Sequence, residues 1–267
     1  MFERILIAGY GAMTGAMLDG WLASGMQPQL FTAYGPRAKT VPDGVTFTAE
    51  VPSGPFDAVV LGFKPQMLAN AAPPLAPLTG PDTTVISVLA GVELESLSGQ
   101  FPRAGGVVRL MPNLACALSK SANALIASGL DTTRSASVTD LAERLGSAEW
   151  LAGEDQFELV TALAGSGPGF VYRFIDALAA AATRLGLEAQ QAERLAVQMV
   201  EGAGALAAAS PLSPGDLARK VASPGGMTQK GLDVLDLDEA LVRLMTETLR
   251  AARDRGREMG EEARRQG

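Results

Sequence analysis

Apolar residues in the first half of this 267-residue chain fall in short unbroken runs, separated by polar and glycine-rich turns. The runs at Ile5–Ala8 and at 29–32, 58–63, 84–89, 107–111, 124–127 and 149–151 each predict a β-strand. Several lack the two-residue alternation of a half-exposed strand and read as nearly continuous Val, Ile and Leu. That is the pattern of strands covered on both faces of a parallel sheet. The helical stretches between them imply a doubly wound α/β sheet of Rossmann type. Proline-rich pieces at 51–56 and 72–81 read as loops or helix starts.

Near Gly153 the periodicity changes. Beyond it no convincing strand appears, and alanine, leucine and charged residues recur at helical spacing, predicting helices over 154–162, 169–185, 189–208, Pro214–Val221, 228–235 and 237–266. The expected organisation is therefore a dinucleotide-binding domain over 1–153 and an all-helical domain over 154–267. Alanine-rich runs at 177–182 and 203–209 suit close helix packing, inside one subunit or between two. The mixed-charge end, GREMGEEARRQG, is expected to fray in solvent.

Composition narrows the chemistry. The chain is 47% hydrophobic and 19% charged, as expected of a globular protein. A net charge of −7 argues against a general nucleic-acid binder, which needs a basic face. The single cysteine, Cys116, excludes an intrachain disulfide and fits a reducing cytoplasm. Histidine is absent, which excludes imidazole acid–base catalysis, Ser-His-Asp triads and His-ligated metals. With one cysteine, thiolate zinc sites are excluded too, and no metal site is expected. The start, MFERILIAGYG, reads as a buried strand and not a signal peptide. Arg173, Asp176 and Arg184 interrupt the most apolar later stretch, 170–187, so no membrane span is expected.

The first strand runs into Gly9-Tyr10-Gly11-Ala12-Met13-Thr14 and then a helix. Gly9 permits a tight turn, and Gly11 lets backbone amides reach a pyrophosphate at the helix N-terminus. Thr14 stands where the third glycine or alanine of the fingerprint belongs. After the second strand, an NAD enzyme places an acid for the ribose diol. This chain has Tyr34-Gly35-Pro36-Arg37-Ala38-Lys39 instead, so a 2′-phosphate on Arg37, with Lys39 as a second cation, favours NADPH, with NADH the other candidate. Lys64, at the end of a buried strand, is placed near the cofactor, and Asn113 offers an amide to nicotinamide or substrate. Cys116 reads as a small packed residue, since nothing nearby activates it.

Two further glycine turns stand out. Ala164-Gly165-Ser166-Gly167-Pro168-Gly169 precedes a long helix, and Ser223-Pro224-Gly225-Gly226 feeds into an apolar-periodic run. In the second, Ser223 is expected to cap the helix and Pro224 to open it, leaving amides aimed at a small anion such as a carboxylate. Thr228 then sets a hydroxyl beside that anion.

GYGAM, FKP, VISVLAGV, VRLMPN, TALAGSGPGF and VASPGGMT, in this order and spacing, resemble the pyrroline-5-carboxylate reductases over residues 5–235. The resemblance implies NAD(P)H-dependent reduction of 1-pyrroline-5-carboxylate to L-proline, by a Rossmann domain followed by a helical dimerisation domain. It also implies a homodimer, often assembled into larger rings, acting on a small cyclic imino acid; the cytoplasmic location is the one that the single cysteine fits. Matched by motif, the cofactor site falls on Gly9, Tyr10, Gly11, Ala12, Met13, Thr14, Tyr34, Pro36, Arg37, Gly62, Phe63, Lys64, Pro65, Ser87, Leu89 and Ala90. The substrate site falls on Glu154, Val221, Ser223, Gly225, Gly226, Met227 and Thr228. This chain departs from the family pattern at Leu114 and Ala115, where Thr-Pro is usual, at Gly169, and at Met227, where a small or hydroxyl residue is usual.

Hydride transfer to an iminium carbon suits a chain without histidine, because the protein mainly positions two partners. Amides of Gly226, Met227 and Thr228 are expected to hold the substrate carboxylate, with Thr228 catalytic beside the ring nitrogen and Glu154 an electrostatic partner. Two alternatives stay open: a related dehydrogenase or imine reductase with another substrate, and a non-catalytic NADPH-binding relative.

Overall fold

The computed structural model describes residues 2–266, with side chains as far as Glu262. Its sheet unit opens β1 (Ile5–Ala8), α1 (Ala12–Ala23), β2 (Phe31–Tyr34), β3 (Thr46–Thr48), β4 (Ala58–Leu61) and α2 (Leu68–Leu75). It continues β5 (Thr84–Ser87), α3 (Leu94–Gln100), β6 (Gly106–Met111), β7 (Ser121–Ser128), α4 (Thr132–Glu143) and β8 (Gly146–Trp150). The strands form one sheet in the order β3-β2-β1-β4-β5-β6-β7-β8. All neighbours run parallel except β6 and β7. The chain leaves β1 toward one edge and returns beside it as β4, so the switch point that seats ligands in such sheets lies at their C-terminal ends.

The unbroken apolar runs have a direct cause. Ile5, Ile7, Ala58, Val60, Ile86 and Val108 face one core with Met17, Leu18, Trp21 and Leu141. Leu6, Ala8, Val59, Leu61, Val85 and Val107 face another with Phe56, Leu75, Leu97 and Phe101. Successive residues enter opposite layers, so neither position tolerates a polar side chain. Trp21 stacks on Phe31 at 5.5 Å, and its indole N–H donates to the Leu141 carbonyl at 2.9 Å.

Several expected elements shift. The second strand starts at Phe31 and not at 29, because Pro28 opens a 3₁₀ turn over Pro28–Leu30. The short polar strand β3 was not expected. The segment 164–169 is not a turn: α5 (Glu154–Val160) passes through a π-helical stretch at Thr161–Gly165 into α6 (Gly167–Arg184).

The packing boundary also falls later than the change in composition at 153. One compact unit runs to Ser166 and resumes at Arg250, and the other is Gly167–Leu249. α5 belongs with the sheet because Phe157 is buried there and the Arg109 guanidinium lies 3.7 Å from its ring centre.

The second unit holds α6, α7 (Ala189–Ala209), α8 (Pro214–Val221), α9 (Met227–Asp236) and the start of α10 (Ala240–Gln266). Glu188 caps α7 by accepting from the amides of Gln190 and Gln191, and Ser213 caps α8 by accepting from Asp216 N–H. The expected helix over 237–266 begins only at Ala240, since Asp238 and Glu239 adopt left-handed backbone at φ 51° and 55°. Among its described residues only Ala192 and Ala196 are buried hydrophobics, while Leu185, Leu206, Val221 and Val234 are each at least 70% exposed. α10 does not fray before Gly260, which is buried in the sheet unit; Gly267 lies outside the described residues.

Candidate functional site

At the end of β1 three residues interlock. Gly9 turns at φ +94°, and a Cβ there would stand 2.5 Å from the Phe63 nitrogen. The Thr14 hydroxyl donates to the Gly9 carbonyl at 2.8 Å and accepts from Gly11 N–H at 2.9 Å. Its methyl occupies the space beside Gly62, where a Cβ would lie 2.1 Å away. The close helix–strand approach usually made by a glycine or alanine on the helix is made here by a glycine on the strand side. Gly11 N–H is thus spent within the loop. No side chain caps α1, so the amides of Ala12 and Met13 are the ones open to an anion.

A cleft of about 680 Å³ opens over this loop. Of the expected cofactor residues, Gly9, Tyr10, Gly11, Pro36, Arg37, Gly62, Phe63, Lys64, Pro65, Leu89 and Ala90 line it. Ala12, Met13, Thr14, Tyr34 and Ser87 do not. Thr14 is buried behind the loop, the Tyr34 carbonyl accepts from Gly9 N–H at 2.8 Å, and buried Ser87 Oγ accepts from Leu89 N–H at 3.2 Å. Gly35, Phe47, Met67, Val88 and Met259 line it without having been expected there. Gly35 and Val88 adjoin motif residues, whereas no local signal marks Met259. Arg37, Lys39 and Lys64 supply three cations, and among the described lining residues there is no Asp or Glu. In a chain of net charge −7 this is a local reversal of sign that suits phosphates. Lys39 Nζ donates to the Tyr10 carbonyl, fastening the loop after β2 to the loop after β1. Burial, with Asp19 nearby, raises the Tyr10 phenol above its ordinary value.

Asn113 does not face this cleft. Its Nδ2 donates to the Ala164 carbonyl at 2.9 Å and its Oδ1 accepts from Ala115 N–H at 2.9 Å, so it ties the turn after β6 to the π-helical stretch. A proline at 115 would lack that N–H, so the departure at Ala115 adds a cap. Cys116 is buried, which pushes its thiol up to about 11 and fits the packed, unreactive role expected.

Glu154 is already engaged. Its carboxylate pairs with the buried Arg109, and its Oε1 accepts from Leu94 N–H at 2.8 Å. Glu158 holds the other guanidinium arm at 3.0 Å. The cluster joins β6, α5 and the start of α3.

In the helical unit, Val221 ends α8, exposed Ser223 and Gly225 and half-buried Gly226 make the turn before α9, and Met227 and Thr228 open that helix, both exposed. Gly225 requires its left-handed φ of +71°. Ser223 is not the cap and Pro224 does not open the helix. The cap position is Gly226, whose N–H donates to the Ser223 carbonyl at 2.9 Å. That leaves Met227 and Thr228 as the first helical amides, with no side chain capping them. The Met227 side chain is 94% exposed at this end.

Fold and cleft together define a Rossmann-type dinucleotide-binding protein with a helical second unit. Residues 154–259 match a family model described as pyrroline-5-carboxylate reductase dimerisation. The pyrroline-5-carboxylate reductase of Pseudomonas aeruginosa is 33% identical over 270 residues, covering 97% of each chain. A solved pyrroline-5-carboxylate reductase from Coxiella burnetii superposes with a TM-score of 0.88 at 29% identity, over 96% of this chain and 98% of that one. The fold is shared with a Plasmodium falciparum pyrroline carboxylate reductase crystallised with NADP bound, at a TM-score of 0.79 and 22% identity over 96% and 98%. The chain belongs to the pyrroline-5-carboxylate reductase family. Among the described residues no helix is long and apolar enough to cross a membrane.

Proposed function

We propose that this chain reduces 1-pyrroline-5-carboxylate to L-proline with NADPH, the last step of proline biosynthesis. The observation that carries the proposal is the cleft at the β1/β4 switch point, with three cations and no Asp or Glu among its described lining residues. Its floor fits a dinucleotide: Gly9 keeps the backbone bare, and Gly11 brings the cleft to the start of α1, whose first amides no side chain caps. Arg37 and Lys39 hold the 2′-phosphate, the α1 amides hold the pyrophosphate, and Lys64 adds charge beside them. NADPH, when bound, supplies the hydride.

On the substrate side, the Met227 and Thr228 amides receive the carboxylate at the N-terminus of α9. Val221, Ser223, Gly225 and Gly226 shape that turn. The Thr228 hydroxyl orients the ring nitrogen, which carries the proton when C5 accepts the hydride. Glu154 acts from a distance by fixing Arg109 and the start of α3. A second copy of the chain covers the apolar faces that the helical unit leaves exposed, giving a homodimer. Assembly of dimers into rings and a cytoplasmic location belong to the same proposal, the latter supported by the lone reduced Cys116.

The test is NADPH consumption by the purified protein with pyrroline-5-carboxylate, alongside Thr228→Ala. Wild-type turnover to proline is expected, with kcat in Thr228→Ala reduced about tenfold or more and NADPH binding unchanged. A wild-type protein that binds NADPH and leaves pyrroline-5-carboxylate unreduced overturns the proposal.

A further inference from the structure

The last helix reaches the cleft from the far end of the sequence. Gly260 lies against Gly91 so closely that a Cβ on Gly91 would stand 3.0 Å from the Gly260 nitrogen, and one on Gly260 3.2 Å from the Gly91 oxygen. Gly91 also needs its φ of +72°. One turn earlier, a Cβ on Gly256 would stand 2.5 Å from Glu158 Oε2, in the carboxylate that grips Arg109. Positions 256 and 260 share one face of α10, so two glycines let this face meet the sheet unit without intervening side chains. The register set by that contact brings Met259 into the cleft wall with Val88, Leu89 and Ala90.

The order of strands says which end of the cleft this is. Arg37 and Lys39 follow β2, Gly9 and Gly11 follow β1, Gly62 and Lys64 follow β4, and Ala90 follows β5. β2 and β5 are three strand spacings apart, about 14 Å. The charged end lies at β2, whereas Val88, Leu89, Ala90 and Met259 make the β5 end apolar. A dinucleotide with its phosphates at Arg37 and the α1 amides has its uncharged redox ring left for the β5 end. A thioether is suited to packing on that flat, uncharged ring, being polarisable and flexible.

We propose that Met259 is a binding residue for the nicotinamide half of the cofactor, held in place by the Gly91–Gly260 contact. This rests on the NADPH reading above. The test is fluorescence titration of the full-length protein and of Met259→Ala and Met259→Leu with two ligands. NADPH carries the nicotinamide, whereas adenosine 2′,5′-bisphosphate carries only the phosphorylated adenosine end. Met259→Ala is expected to weaken NADPH about tenfold and to leave adenosine 2′,5′-bisphosphate within about twofold, with Met259→Leu recovering most of the loss. Unliganded thermal unfolding stays at the wild-type midpoint. NADPH binding by Met259→Ala within twofold of wild type overturns the proposal while leaving the cofactor reading intact. Equal weakening of both ligands overturns it too, since it would place Met259 away from the ring. A wild-type protein that binds neither ligand removes the cofactor reading and the proposal together.

Discussion

Thr14 occupies the space that any side chain at Gly62 would need: its γ-methyl would lie 2.1 Å from a Cβ there. Helix α1 and the end of β4 therefore approach as closely as the usual fingerprint allows, with the small residue moved to the other partner. The Thr14 hydroxyl meanwhile bonds both Gly9 and Gly11 and stiffens the loop. Gly62→Ala should cost about 1–3 kcal/mol in urea unfolding, the scale of core overpacking. Adding Thr14→Ser, which removes the methyl and keeps the hydroxyl, should return about 1 kcal/mol of that. Strict additivity of the two changes would contradict the contact.

Arg109 is 2% exposed and sits between two carboxylates and the Phe157 ring. Arg109→Met should destabilise the fold by about 3–5 kcal/mol, because Glu154 and Glu158 would lose their shared counter-charge. Glu154→Gln should cost clearly less, since an amide oxygen still accepts from Leu94 N–H. Denaturant midpoints of the two variants compare them, and the reverse order would show that Glu154 does more than hold Arg109 and Leu94.

Arg37 lines the cofactor cleft where an NAD enzyme places an acid. Arg37→Ala should raise KM for NADPH about tenfold and change KM for NADH little, the effect of losing one charge-assisted bond at an exposed site. Equal effects on the two cofactors would take the 2′-phosphate away from Arg37.

Burial raises Cys116 from 9.0 to about 11, so folding favours its neutral thiol. The sign follows: this contribution to stability is fully present below pH 9 and is lost as pH rises toward 11. Cys116→Ala should show a smaller loss of stability over that window, read from unfolding at matched pH values. Native protein should resist thiol reagents at pH 8 and react on denaturation.

The central strands were legible because residues such as Leu6 and Ile7 face opposite layers and both must be apolar. β3, with Thr46 and Thr48 at the edge of the sheet, carries no such constraint and left little signal. The helices of the second unit were legible from apolar residues recurring at helical spacing, although the left-handed backbone at Asp238 and Glu239 gave no warning. The cofactor cleft could be read as far as residues adjoin a strand end. Met259 could not, because it arrives through packing between Gly91 and Gly260, which are far apart in sequence. Asn113 misled for a similar reason: its amide is taken up by Ala164, 51 residues away.

Hydride delivery to the imine carbon is tested most directly with NADPH deuterated at both C4 positions of the nicotinamide. Purified protein and 1-pyrroline-5-carboxylate should give L-proline one mass unit heavier, with the deuterium at C5 and the nitrogen-bound proton drawn from water. Proline without deuterium at C5, or none formed by protein that binds NADPH, would contradict the proposed reaction.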